Sequence, residues 1–191
     1  MFDLKRICTA SVGKRVRLFA IIVSALAIPG CSTTLPINYI PSASIRGAGP
    51  VEVGEFAYTP ADQKKVDSDE FQKATGAIGY IHISQPVPEL FRTALRKELV
   101  SGGYSVEKDA PVEITGDVTR FLYDWIGVVE VDFYVDVTFR LKKNGQEVLV
   151  YKASSHQKAP KTMAQDTEAV RAAISECIDQ FFMEARSRKL L

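Results

Sequence analysis

VEVDFYVDVTFRL, residues 129–141, is the stretch on which the fold turns. Val129, Val131, Phe133, Val135, Val137, Phe139 and Leu141 alternate without a miss against Glu130, Asp132, Tyr134, Asp136, Thr138 and Arg140. Successive side chains of a strand point to opposite faces, so this run predicts a strand with one buried and one wet face. A sheet covered on one side only is the antiparallel kind. Asn144 and Gly145 follow, a dipeptide that tolerates positive φ in a tight hairpin, and residues 148–154 return as the partner strand.

Beyond that hairpin, Thr162 and Gln165 have capping-box spacing at the start of a long helix. Val170, Ile174, Cys177, Ile178, Phe181 and Ala185 form its inward stripe, and Arg186, Arg188 and Lys189 near its end suit the helix dipole. Upstream, residues 112–122 and 104–106 read as strands. Before them Val87, Leu90, Phe91, Ala94, Leu95 and Leu99 make the apolar face of a helix that Pro88 opens and Gly102 closes. Residues 77–84 and 51–58 read as two more strands, the latter shifting phase at Gly54 as at a bulge. The polar, charged stretch 59–76 reads as a mobile loop. The order β-β-α-β-β-β-β-α predicts an α+β fold, a single two-layer domain over residues 51–191. In it two amphipathic helices pack on one face of a largely antiparallel sheet.

The N-terminal segment is of another kind. Lys5, Arg6, Lys14, Arg15 and Arg17 precede an uncharged run over 18–28, which is 11 residues long. That is short of the ~20 a spanning helix needs. Ile28, Pro29, Gly30 and Cys31 close it, so residues 1–30 have the layout of a processed signal peptide. This ending resembles the lipobox of bacterial lipoproteins, although Leu is commoner there than Ile28 and Pro29 is unusual. The resemblance implies cleavage between Gly30 and Cys31, diacylglycerol on the Cys31 thiol, and acylation (palmitate) of its new amino terminus. An ordinary secretory signal and an uncleaved anchor are the alternatives. Ser32, where an Asp would favour inner-membrane retention in enterobacterial lipoproteins, implies the outer membrane, facing the periplasm. Residues 31–50, with Pro36, Pro41, Pro50, Gly47 and Gly49 and no apolar period, read as a flexible lipidated tether. Fully extended it would reach ~60 Å at about 3.3 Å per residue.

Without residues 1–30 the formal charge falls from +1 to −3, because five basic side chains and Asp3 leave, and 161 residues remain. A chain of that length buries ~70% of its unfolded surface as one domain. Its weak negative charge argues against a nucleic-acid partner. Cys8 departs with the signal and Cys31 takes lipid, so Cys177 has no partner in the chain. Its place on the apolar helix face predicts a buried structural thiol.

The supply of catalytic groups is thin. His82 and His156 are the two histidines, with no close carboxylate or cysteine spacing to make a zinc site, and are expected to be partly exposed strand residues. Ser84, Ser101 and Ser105 lack the strand-turn-helix elbow of an activated serine. Gly102 and Gly103 end a helix rather than begin one, and no dinucleotide fingerprint or P-loop occurs. The expectation is a protein that is not an enzyme and takes no cofactor.

Two surfaces invite a partner. Glu130, Asp132 and Asp136 project from one strand face, where they would hold a divalent cation, steer a basic partner, or simply keep a sheet face solvated. Tyr123, Trp125, Ile126, Val128 and Val129 crowd around Asp124 and Gly127. If Gly127 is a hairpin tip they form an exposed contact point; if the tip folds back they finish the core.

The segment SGGYSVEKDAPVEITGDVTRFLYDW (101–125), the long alternating strand, the NG hairpin, the terminal amphipathic helix and TLPINYIPSA (34–43) together resemble the YajG-like family of Gram-negative outer-membrane lipoproteins. The resemblance spans roughly residues 31–191 and supplies no catalytic residues. It implies a small periplasmic lipoprotein; the anchor, the tether and the thin supply of catalytic groups add the expectation of a non-enzymatic protein whose periplasmic domain binds or stabilises another envelope component. A second likeness, in lipobox, tether and α+β order, is to auxiliary lipoproteins of ABC-type lipid transporters. That alternative predicts an apolar cavity or bound lipid.

Overall fold

In the computed structural model, which describes residues 32–42, 44–125 and 129–191, the alternating run lies inside one long strand. The elements in chain order are β1 (Ser32–Leu35), β2 (Pro50–Tyr58), α1 (Thr59–Asp62), β3 (Gln72–Lys73), β4 (Tyr80–Ile83) and α2 (Val87–Gly102). They continue with β5 (Ser105–Val106), β6 (Val112–Asp124), β7 (Glu130–Lys143), β8 (Gln146–Pro160) and α3 (Met163–Ser187). The architecture is the α+β two-layer arrangement that the order of elements predicts.

The sheet runs β5-β2-β6-β7-β8. Its largest part is the antiparallel meander β6-β7-β8, with Val137 opposite Val118 on one side and Ala153 on the other. Asn144 (φ 50) and Gly145 (φ 80) make the tight turn between β7 and β8, as the dipeptide predicts. β2 joins parallel to β6, which requires a crossover, and the connection carrying α2 supplies it. The β2-β6 register shifts between Val53 and Phe56, around Gly54. Opposite that bulge a Cβ on Gly116 would lie 2.2 Å from the Phe56 ring, so only glycine leaves the ring its place.

Val131, Phe133, Val135, Val137, Phe139 and Leu141 are all buried under α2 and α3. Each contributes about 1.5–3 kcal/mol relative to an exposed side chain. The predicted stripe of α2 is buried throughout, as is that of α3, and Cys177 donates its S–H to the carbonyl of Val135 at 3.7 Å. Burial pushes that thiol's pKa well up, which makes it unreactive. Along the outer edge of the sheet, α3 reaches β8 with Gln180. Its amide oxygen accepts from Ser154 N–H (3.1 Å) and its nitrogen donates to Ser154 O (2.8 Å).

Three expectations are corrected. The flexible tether over 31–50 is not observed in its described part. β1 pairs in parallel with β4, and Leu35, Ile37, Tyr39 and Ile45 are buried in the common core. The apolar residues at 35, 37 and 39 do alternate; Pro36 and Pro41 between and beside them masked a strap laid along the domain. The stretch 59–76 is likewise no mobile loop, because Phe71 is buried in the aromatic core and β3 pairs with β6. The capping box also differs in detail: Thr162 Oγ1 bonds the Gln165 side chain at 2.9 Å, with no side-chain bond to the helix backbone.

Candidate functional site

The strap is held by two carboxylates that sit on different helices. Glu98, on the buried side of α2, accepts from Tyr39 O–H (2.5 Å) and from the Ser42 backbone N–H (2.7 Å). On α3, Asp179 accepts from the Ser44 hydroxyl. Between the strap and α3 lies an open groove of about 680 Å³, lined by Ile40, Pro41, Arg171, Glu176, Asp179 and Met183 among others. Sequence reading missed Glu98, although a signal was there: it follows Phe91, Ala94 and Leu95 at helical spacing and so interrupts the apolar stripe with a charge. An acid in a buried stripe needs donors from elsewhere in the chain.

Burial raises the Asp179 carboxyl above its ordinary value of 3.8, the Ser44 bond opposes that, and the nearby charges of Glu98 and Glu176 add to it. A carboxyl whose pKa is higher folded than unfolded favours the folded state while protonated and loses that advantage as pH rises through its folded pKa. The thermal midpoint is therefore expected to fall with rising pH over the window from about the ordinary carboxylate value, 3.8, to Asp179's raised one. Asp179→Asn should flatten that part of the profile, which a melting series across acidic buffers measures.

The two predicted contact surfaces come out differently. Tyr123 is buried and donates its hydroxyl to Asp166 Oδ2 at 2.8 Å, so its assignment as a partner contact is corrected: it belongs to the core. Trp125 is half-buried, its ring 5.3 Å from that of Tyr123. Ile126, with Gly127 and Val128, lies outside the described residues. Val129 beside them is exposed.

Glu130, Asp132 and Asp136 do project from the open face of the sheet, but the last two already face cations. Asp132 lies 2.6 Å from His156 Nε2 and 3.8 Å from Lys158 Nζ, and Asp136 lies 4.0 Å from Arg120. Between these pairs Arg120 sits over the Tyr134 ring (4.2 Å), which stacks on His156 (4.3 Å). The result is a polar, aromatic platform across β6, β7 and β8 that no helix among the described residues covers. His82, on β4, lies 3.3 Å from Asp69. Among the described residues no group of three or more His, Cys, Asp or Glu side chains is arranged to hold a metal ion.

The register also fixes which features share an end of the domain. Ser32 pairs with Tyr80, Lys73 with Tyr123, Asp124 with Asp132, and Glu130 with Pro160. The start of β1, the turn between β3 and β4, the end of β6, the start of β7 and the start of α3 therefore lie together. The Asn144 hairpin lies at the other end.

No helix among the described residues is long and apolar enough to cross a membrane. No family model and no curated protein sequence matches the chain. Solved structures do resemble it. A Xanthomonas campestris protein of the DUF330 family superposes with a TM-score of 0.56 at 16% identity, over 84% of this chain and 95% of its own. A crystal structure of an uncharacterized protein gives 0.50 at 16% identity, over 83% and 99%. A minor lipoprotein from Acinetobacter baumannii gives 0.42 at 11% identity, over 73% and 94%. What the chain shares with the first two, at such identities, is the fold.

Proposed function

We propose that this chain is a non-enzymatic lipoprotein, anchored through Cys31 to the outer membrane and facing the periplasm, whose domain binds or stabilises another envelope component. The observation that carries the reading is the run Ile28, Pro29, Gly30, Cys31, which ends directly before Ser32, the first residue of β1. Ser32 in place of Asp supports the outer over the inner membrane. Because the strap is docked, the domain stands close to its anchor and does not range on a leash. The partner surface is the uncovered platform of Arg120, Tyr134, His156 and Asp132, whose mixed charge and flat rings suit a protein contact.

The test compares the native protein with Cys31→Ala in whole envelopes. Each buried methylene contributes ~0.8 kcal/mol, so losing several acyl chains should lower the membrane-bound fraction by about tenfold or more. Mild cross-linking before purification, read by mass spectrometry, should recover one envelope protein with the anchored form only. Recovery of transporter subunits would favour the auxiliary lipid-transport role. Recovery of nothing specific, with Cys31→Ala still in the membrane, would overturn both the anchor and the partner.

A further inference from the structure

The end of the domain at which β1 starts carries an unusual set of side chains. Ile78 is 90% exposed, Val129 71%, Met163 52% and Tyr80 48%. Lys73 caps the Tyr80 ring at 4.1 Å, and half-buried Trp125 lies 5.3 Å from the ring of Tyr123, the residue with which Lys73 pairs. These residues come from three separate parts of the chain, and the strand register alone brings them to one end. β3 and β8 are three strand spacings apart, about 15 Å, so the set spreads over a face instead of marking one point.

We infer that this end seats on the bilayer that holds the anchor, with Ile78, Val129 and Met163 entering the interfacial layer beside the acyl chains. The inference rests on the anchor reading and goes beyond it by orienting the domain. Cys31 lies one residue, about 3.8 Å in Cα separation, before Ser32. An acyl group on it therefore holds this end, and not the hairpin end, at the membrane surface. Trp and Tyr favour the membrane–water boundary, where an apolar ring and a polar edge are both satisfied. Lysine stems such as that of Lys73 lie along apolar surface while the ammonium stays in water. Lys73 and Glu130 leave the end mixed in sign, so apolar and aromatic groups carry the contact more than charge does. Seated this way, the long strands rise from the membrane. The 14 residues of β7 put the Asn144 turn about 45 Å out at roughly 3.3 Å per residue. The platform of Tyr134 and His156 then faces sideways, open to a neighbour in the same membrane.

The experiment uses the full chain, expressed with its own N-terminal segment and reconstituted in phosphatidylethanolamine–phosphatidylglycerol vesicles. An environment-sensitive fluorophore is placed on Ile78→Cys or, at the opposite end, on exposed Gln146→Cys; Cys177 is fully buried and does not compete. The mass of the N-terminal peptide is measured on the same sample. Brominated lipid chains should quench most of the Ile78 signal and leave the Gln146 signal unchanged. Acylated Cys31 with neither label quenched, or with both quenched alike, overturns the orientation while the anchor stands. An Ile78 label shielded from iodide yet untouched by brominated chains means a protein contact and also overturns it. Unacylated Cys31 overturns the anchor, and the seat with it.

Discussion

Phe121→Ala is expected to lower the free energy of unfolding by about 3–5 kcal/mol. The Phe121 ring stacks on Phe71 at 4.2 Å and meets Tyr58 and Phe91 edge-on at 6.4 and 6.0 Å. Those partners come from the segment before β3, from β2 and from α2, so the cavity left by truncation opens where four parts of the chain converge. Tyr58 also donates its hydroxyl to Glu70 O at 3.0 Å, which fixes the backbone next to Phe71 and limits how far the site can collapse. Incomplete collapse is what makes such truncations costly. With domain stabilities of about 5–15 kcal/mol, the loss is a large share of the total. Val150→Ala, on the open face, should stay within about 0.5 kcal/mol. Denaturant titration of both variants decides the matter, and a Phe121→Ala loss below about 1 kcal/mol would mean the aromatic junction is not the centre of the core.

The second large effect is expected on the strap. Leu35→Ala should cost about 2–5 kcal/mol, as truncation of a buried leucine does. Leu35 is 2% exposed and lies in the same core as Ile37, Tyr39 and Ile45. Tyr39→Phe should add a separate loss of about 1.5–3 kcal/mol, because Glu98 would keep its burial and lose its hydroxyl donor. The other Glu98 oxygen has no hydrogen-bond partner among the described residues, so it cannot offset the loss. Since a peripheral strand can detach before the rest unfolds, amide hydrogen exchange should show the change first between residues 32 and 42. A free tether would give no change in either variant. Pro36→Ala, exposed between Leu35 and Ile37, is the control expected to be neutral.

Strict alternation from 129 to 141 and the helical stripes around Leu95 and Ile174 were legible because periodic burial leaves a periodic sequence. The meander and both covering helices followed from them. The strap was not legible, because its three alternating apolar residues are separated and flanked by prolines that also mark a linker. Phe71 was hidden for a similar reason: one aromatic among charged neighbours carries no period. The open face was half legible. The spacing of Glu130, Asp132 and Asp136 placed them on one side. Their partners, Arg120, His156 and Lys158, come from neighbouring strands, and that pairing is a matter of register across the sheet. Tyr123 showed the converse, an aromatic beside a supposed tip that the register carries inward to Asp166.

The two bonds between Gln180 and Ser154 have one more implication. β8 is the last strand of the sheet, and the backbone groups on its free side would accept another molecule's strand as readily as β7 was accepted on the other. At Ser154 both groups are already satisfied by a side chain of the same molecule. An incoming strand would have to break that amide contact before it could gain a bond, so the sheet has a built-in stop against copying itself from one molecule to the next.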